Sequence, residues 1–161
     1  MSSTLTAEQV PLDKPLYGAT FGQAISRFFK KYATFSGRAS RSEYWWWVLA
    51  SAIISTVLSW LSYGLGAAGV APSEMPGIGT VSIIGIVLTS VWGLAILIPS
   101  LALTWRRLHD TNRSGAFFFF IFIPLVGSII LFVFTLLQSD PAGARFDEPT
   151  ASGVPAPAPT A

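Results

Sequence analysis

The stretch Glu43-Tyr44-Trp45-Trp46-Trp47-Val48-Leu49-Ala50-Ser51-Ala52-Ile53-Ile54-Ser55-Thr56-Val57-Leu58-Ser59-Trp60-Leu61-Ser62-Tyr63-Gly64-Leu65 opens a run with no charge before Glu74. Two further charge-free runs follow, from Glu74 to Arg106 and from Arg113 to Asp140. A helix crossing a bilayer needs about 20 mostly apolar residues, so each run holds one such helix and none holds two. The expected fold is therefore an all-α membrane protein with three transmembrane helices, near 44–65, 81–105 and 116–137. Between the first two lie Gly64, Gly66, Gly69, Pro72, Pro76, Gly77 and Gly79, a loop of turn formers that breaks the helical pattern.

Composition agrees. Of 161 residues, 52% are hydrophobic and only 11% charged, against about 25% charged in an ordinary soluble domain. A chain this short builds one small core, too small to hide that apolar surplus from water. There is no cysteine, which excludes disulfides, thiolate nucleophiles and cysteine-bound metals. The single histidine, His109, excludes sites needing two imidazoles, and no metal or cofactor is expected.

Orientation follows the distribution of Lys and Arg. Lys14, Arg27, Lys30, Lys31, Arg38 and Arg41 precede the first span, and Arg106, Arg107 and Arg113 join the second to the third. These cations belong on the cytoplasmic side. Three crossings then put Arg145 and the C-terminus in the periplasm. The segment Pro124-Leu125-Val126-Gly127 interrupts the third span; it either kinks that helix or turns it back as a re-entrant hairpin, whose limbs of about ten residues would be too short to cross. No apolar signal core lies in the first 43 residues, so the N-terminus is expected to be retained. Residues 1–18 and the Pro/Ala-rich 150–161 are expected to be disordered tails around a membrane domain over 19–149.

From 19 to 34, Phe21, Ile25, Phe28, Phe29 and Tyr32 recur at helical spacing, with Gln23, Arg27, Lys30 and Lys31 opposite. This reads as an N-terminal amphipathic helix lying in the interface, its phenylalanines in the acyl boundary and its cations toward anionic lipid. Nucleic acid is a poorer partner for cations already beside lipid phosphates. Ser40 and Glu43 have capping-box spacing, which starts the membrane helix at Arg41. Tyr44, Trp45, Trp46 and Trp47, with Trp105 on the second span, are expected as interfacial anchors.

The densest polar run is Trp105-Arg106-Arg107-Leu108-His109-Asp110-Thr111-Asn112-Arg113-Ser114-Gly115. Arg106 and Asp110 sit at i, i+4 and can pair; both arginines can snorkel to phosphates. The run is expected to dock on Arg38–Glu43, Glu43 meeting Arg106 or Arg107 and Asp110 meeting Arg38 or Arg41. Gly64, Gly85 and Gly93, with Ser51, Ser55 and Ser59, permit close helix approach, within one chain or in a homo-oligomer.

The ordered pair GRASRSEYWWW and RRLHDTNRSG, then IPLVGSIILFVF and a closing DPAGARFDEP, resembles the bacterial inner-membrane family called domain of unknown function eight-hundred-and-five, over about Phe28 to Pro149. The resemblance implies a small polytopic cytoplasmic-membrane protein of unestablished activity. It also implies that Gly37, Arg38, Ser40, Arg41, Glu43, Trp46, Pro99, Arg106, Arg107, Leu108, His109, Asp110, Ser114, Gly115, Pro124 and Gly127 are family motif positions. The leading functional expectation is a non-enzymatic protein whose basic cytoplasmic face, carried by these polar motif residues and Arg113, binds anionic lipid or a partner protein. An oligomeric transporter or channel component is second, weakened by spans with no ionisable residue between their ends. A membrane enzyme using His109 and Asp110 is third, since no second acid or GxSxG elbow accompanies them.

Overall fold

The computed structural model describes residues 10–12, 14–65 and 83–147. The Gly/Pro-rich connection, the first two residues of the expected second span and the 150–161 tail lie outside the described residues, as does much of the 1–18 tail.

The described residues form four α-helices, α1 (Phe21–Lys30), α2 (Arg41–Leu65), α3 (Ile83–Asp110) and α4 (Val126–Leu136), with a 3-10 helix over Gly115–Phe122 between α3 and α4 and another over Pro141–Phe146 after α4. Among the described residues there is no strand. At 25 and 28 residues, α2 and α3 are about 37 and 42 Å long, enough for a hydrocarbon core of about 30 Å.

α2 and α3 run antiparallel. At one end, a side chain added at Gly85 would overlap Ser62, so glycine is what lets the helices close there. Trp92 Nε1 then donates to Ser55 Oγ at 3.1 Å, Trp47 Nε1 to Ser100 Oγ at 3.2 Å, and the Ala39 N–H to the Arg106 carbonyl at 3.1 Å. Gly64 and Gly93, expected to serve the same closeness, face open space.

Most apolar surface of these helices points outward. Trp60 is 75% exposed and Leu94 70%. A water-soluble core helix hides such residues; a pair of long helices that shows them needs an apolar solvent. The chain is a helical membrane protein.

The expected single helix over 116–137 is not formed. The first half is a 3-10 helix, the second is α4, and a turn at Pro124–Leu125 separates them. There the Val126 N–H donates to the Pro124 carbonyl at 2.7 Å, while Leu125 has φ 62° and ψ −59°, which is a γ-turn of the rare positive-φ kind. Proline supplies no N–H to continue a helix, and Gly127 lets α4 leave directly beneath the Phe120 carbonyl, where a Cβ would overlap it. The limbs fold back on each other: Phe117 meets Phe134 edge-on at 5.9 Å, and the Arg113 guanidinium lies 4.2 Å over the Phe134 ring. Each limb is only about 16 Å long. Both ends of this hairpin therefore lie beside the Asp110 end of α3.

α1 forms over Phe21–Lys30, capped reciprocally by Thr20 and Gln23. Its packing corrects the amphipathic reading in part. Phe28 is buried and stacks on Trp47 with ring centroids 3.4 Å apart, while Phe21 and Phe29 stay exposed. Arg27, expected to face lipid, is buried instead. The N-terminal stretch expected as a polar tail is, in its described part, a strap held by Arg27, which donates to the carbonyls of Val10, Pro11, Leu12 and Lys14.

Candidate functional site

The motif residues meet at one end of the helix pair. Ser40 and Glu43 form the expected capping box: the Ser40 N–H donates to Glu43 Oε2 at 2.9 Å and the Glu43 N–H to Ser40 Oγ at 3.2 Å. The box does more than start α2. Glu43 Oε2 also accepts from the Leu16 N–H at 3.3 Å, Ser40 Oγ donates to the Leu16 carbonyl at 2.6 Å, and Glu43 Oε1 takes the ion pair from Arg27.

The second motif docks on the first, as expected, but largely through its backbone. Besides the Ala39–Arg106 bond, His109 Nδ1 lies 3.1 Å from the Gly37 carbonyl. The expected ion pairs are replaced by others. Glu43 pairs with Arg27, and Arg106 is only its electrostatic neighbour. Asp110 is met by Arg107 one turn back on the same helix, at 2.5 Å, instead of by Arg38, Arg41 or Arg106. Tyr17 Oη at 3.1 Å and Ser139 Oγ at 2.5 Å donate to the same carboxylate. Arg38 makes a two-pronged pair with Asp147, Nε to Oδ1 at 2.9 Å and Nη2 to Oδ2 at 2.8 Å. That pairing holds the Arg38 guanidinium above its usual range.

Arg106 and Arg107 are fully buried, which removes them from snorkelling. Arg106 Nε donates to the Ala102 carbonyl at 3.2 Å. Arg107 Nε donates to the Thr135 carbonyl at 3.1 Å, and Nη2 reaches the Leu137 carbonyl. One guanidinium thus satisfies two carbonyls at the C-terminal end of α4, where the backbone runs out of helical partners. This cation draws the returning limb of the hairpin back to the motif.

After α4 the chain crosses the motif. The Asp140 N–H donates to the Asp110 carbonyl at 2.8 Å, and the Gly37 N–H to the Phe146 carbonyl at 2.9 Å. The His109 ring stacks flat on Phe146, centroids 4.1 Å apart. Gly143 is pressed against the His109 carbonyl, where a Cβ would overlap. Gly37, at φ 75°, takes a turn most residues resist. Ser114 caps the first 3-10 helix by accepting from the Ala116 N–H, and Gly115 lies against the Trp105 indole with no room for a side chain.

Of the expected interfacial anchors, Trp46 is exposed and donates to the Ala19 carbonyl at 3.0 Å, and Tyr44, Trp45 and Trp105 are half-buried. Trp47 belongs to the core. His109 and Asp110 are adjacent in sequence, yet they engage different partners, Gly37 and Phe146 against Arg107, Tyr17 and Ser139. Among the described residues no group of three or more His, Asp or Glu side chains could hold a metal.

Sequence reasoning missed Tyr17, Arg27, Ser139 and Asp147. Arg27 carried no distinguishing signal, because a cation opposite an apolar stripe reads the same whether it meets lipid or a buried acid. Asp147 lies in the closing motif DPAGARFDEP, which was the available pointer.

This end of the molecule is built from two motifs and a closing segment that the family model for proteins of unknown function, DUF805, matches over residues 32–148. The chain belongs to the DUF805 family. Among curated proteins it is similar to the inner membrane protein YhaI of Escherichia coli (strain K12), 36% identical over 117 residues, which covers 73% of this chain and 86% of that one. It is likewise similar to the inner membrane protein YhaH of the same organism, 34% identical over 120 residues, 74% of this chain and 89% of the relative. No solved structure gives a significant match. The DUF805 match covers α2, α3, the hairpin and the closing segment, but begins after α1, so the Arg27–Glu43 pair joins a residue outside the matched range to one inside it.

Proposed function

We propose that this chain is a non-enzymatic inner-membrane protein with two crossings, a re-entrant hairpin and both described ends in the cytoplasm, whose exposed cations hold anionic lipid at that face. Its relatives' names support the membrane. The hairpin supports the sidedness: Pro141–Phe146 lies against His109 and Gly37, so Arg145 joins the other nine Lys and Arg residues on one side. Both described ends then lie inside, a fuller agreement with the positive-inside rule than three crossings give.

One observation carries the functional reading. The carboxylates of the motifs and the closing segment are consumed internally, as Arg27–Glu43, Arg107–Asp110 and Arg38–Asp147, and Arg106 is buried, while Lys14, Lys30, Arg41 and Arg145 remain exposed. The motifs therefore build a rigid end plate, and the rim of that plate does the binding. Each cation near an anionic surface contributes about 1 kcal/mol.

Two measurements test this. Because the chain has no cysteine, Ala144→Cys and Ser73→Cys give clean labels for a membrane-impermeant maleimide on intact cells. Labelling at Ser73→Cys alone is expected; labelling at Ala144→Cys would restore three crossings. For binding, protein purified from membranes should carry more phosphatidylglycerol than the bulk membrane. Exchange of Lys14, Lys30, Arg41 and Arg145 together for glutamine should abolish that enrichment, and an unchanged lipid complement would defeat the reading.

A further inference from the structure

Arg41 stands apart from the other exposed cations because it lies between two adjoining surface hollows, one of mixed and one of largely apolar lining. One, of about 390 Å³, is lined by Arg41, Ser42, Gln138 and Ser139 together with the Tyr17–Gly18 turn and Ser40. The other, of about 450 Å³, is lined by Arg41, Ser42, Trp45 and Leu136 and is largely apolar. They share Arg41 and Ser42, so an open hollow with both polar and apolar walls continues into a shallow, largely apolar groove. The junction lies where α2 begins and α4 ends, which on the reading above is the cytoplasmic interface of the bilayer.

We propose that this junction seats a single phospholipid with an anionic headgroup, its phosphate on Arg41 and Gln138 and one acyl chain against Trp45 and Leu136. The proposal rests on the reading that this face is cytoplasmic and lipid-binding, and it localises that binding. Three features support it. Arg41 uses only Nη1, on the Leu136 carbonyl at 3.2 Å, leaving most of its fork for phosphate. Gln138 is exposed, and its carboxamide forms no hydrogen bond among the described residues. No carboxylate lines either cavity; Asp110, behind Ser139 and Tyr17, is already neutralised by Arg107. The hydroxyls of Tyr17, Ser40, Ser42 and Ser139 already give their protons to Asp110 or the Leu16 carbonyl, so Arg41 and Gln138 are left to hold the phosphate while the hydroxyl oxygens accept from free hydroxyls of the headgroup, and the Trp45 ring, edge-on to Phe132 at 5.9 Å, walls the acyl chain.

The test is native mass spectrometry of the full chain in detergent, titrated with phosphatidylglycerol or phosphatidylcholine of matched chains. Wild type should prefer phosphatidylglycerol. Arg41→Gln should weaken that lipid at least about tenfold, as expected for loss of a charge-assisted fork on phosphate. Gln138→Leu, at an exposed position, should weaken it several-fold although no charge is lost, while Lys30→Gln and Arg145→Gln should each cost less than Arg41→Gln, no more than the roughly fivefold of a cation that acts on the surface as a whole. Equal losses in all four variants would overturn the site and leave a diffuse cationic face, so the broader function would survive. Equal binding of both lipids by wild type would overturn the broader function and the site with it.

Discussion

Arg27 and Glu43 are ion-paired with both side chains all but buried, and the pair ties α1 and the strap before it to the first turn of α2. A carboxylate that also accepts from the Ser40 and Leu16 N–H groups is held on every side. Removing one partner of such a pair leaves a buried charge unmatched, at a cost of about 3–5 kcal/mol. Glu43→Ala and Arg27→Ala are each expected to lower the unfolding midpoint strongly in detergent. The double variant should cost much less than their sum. Additive losses would mean that the two residues act independently.

The Arg38–Asp147 clip should be worth about 1–3 kcal/mol, as two hydrogen bonds between charged groups on a pair only slightly exposed. Asp147→Asn should free the closing segment without unfolding the helix pair. Limited proteolysis after Arg145 reads this directly: cleavage is expected to accelerate in Asp147→Asn and in Arg38→Gln to a similar degree. Wild-type rates in both would show that the stack of Phe146 on His109 holds the segment unaided.

Glycine positions divide sharply. Gly143→Ala drives a methyl into the His109 carbonyl and Gly115→Ala drives one into the Trp105 ring, so each should destabilise by about 1–3 kcal/mol. Gly93 lies inside α3 with open space around it, and Gly93→Ala should be neutral or stabilising by up to about 1 kcal/mol. Thermal unfolding of the three variants side by side separates contact from composition.

Leu125 holds a γ-turn conformation that side chains resist. Leu125→Gly should relieve the strain and raise stability by about 1 kcal/mol, offset in part by the added freedom of the unfolded chain. A lower midpoint would indicate that the exposed leucine side chain contributes more through its lipid contacts than the turn costs.

Alkaline pH should loosen the strap. Partial burial, and then the charge of Asp110, raise the Tyr17 phenol above its ordinary value. The folded state thus keeps the proton longer than the unfolded chain. Stability from this group is complete below the ordinary tyrosine range near 10 and falls as pH climbs past it. Tyr17→Phe should remove that slope; an identical slope in Tyr17→Phe would assign it elsewhere.

What the residue order settles by itself is local. Charge-free length set where α2 and α3 run, and Ser40 with Glu43 marked where α2 starts, because helix length and capping depend on neighbours within a few positions. The docking of the two motifs on one face was also legible, from the order of spans and cations. Which charge meets which was not: Arg27, Arg38, Arg41, Arg106 and Arg107 are chemically alike, and only packing decides that Glu43 takes Arg27 while Asp110 takes its helical neighbour. The fate of 116–137 was undecided for the same reason. Pro124 allows a kink or a reversal, and the reversal is selected far away in sequence, where Arg107 meets the carbonyls of Thr135 and Leu137 and draws the returning limb to the end from which it left.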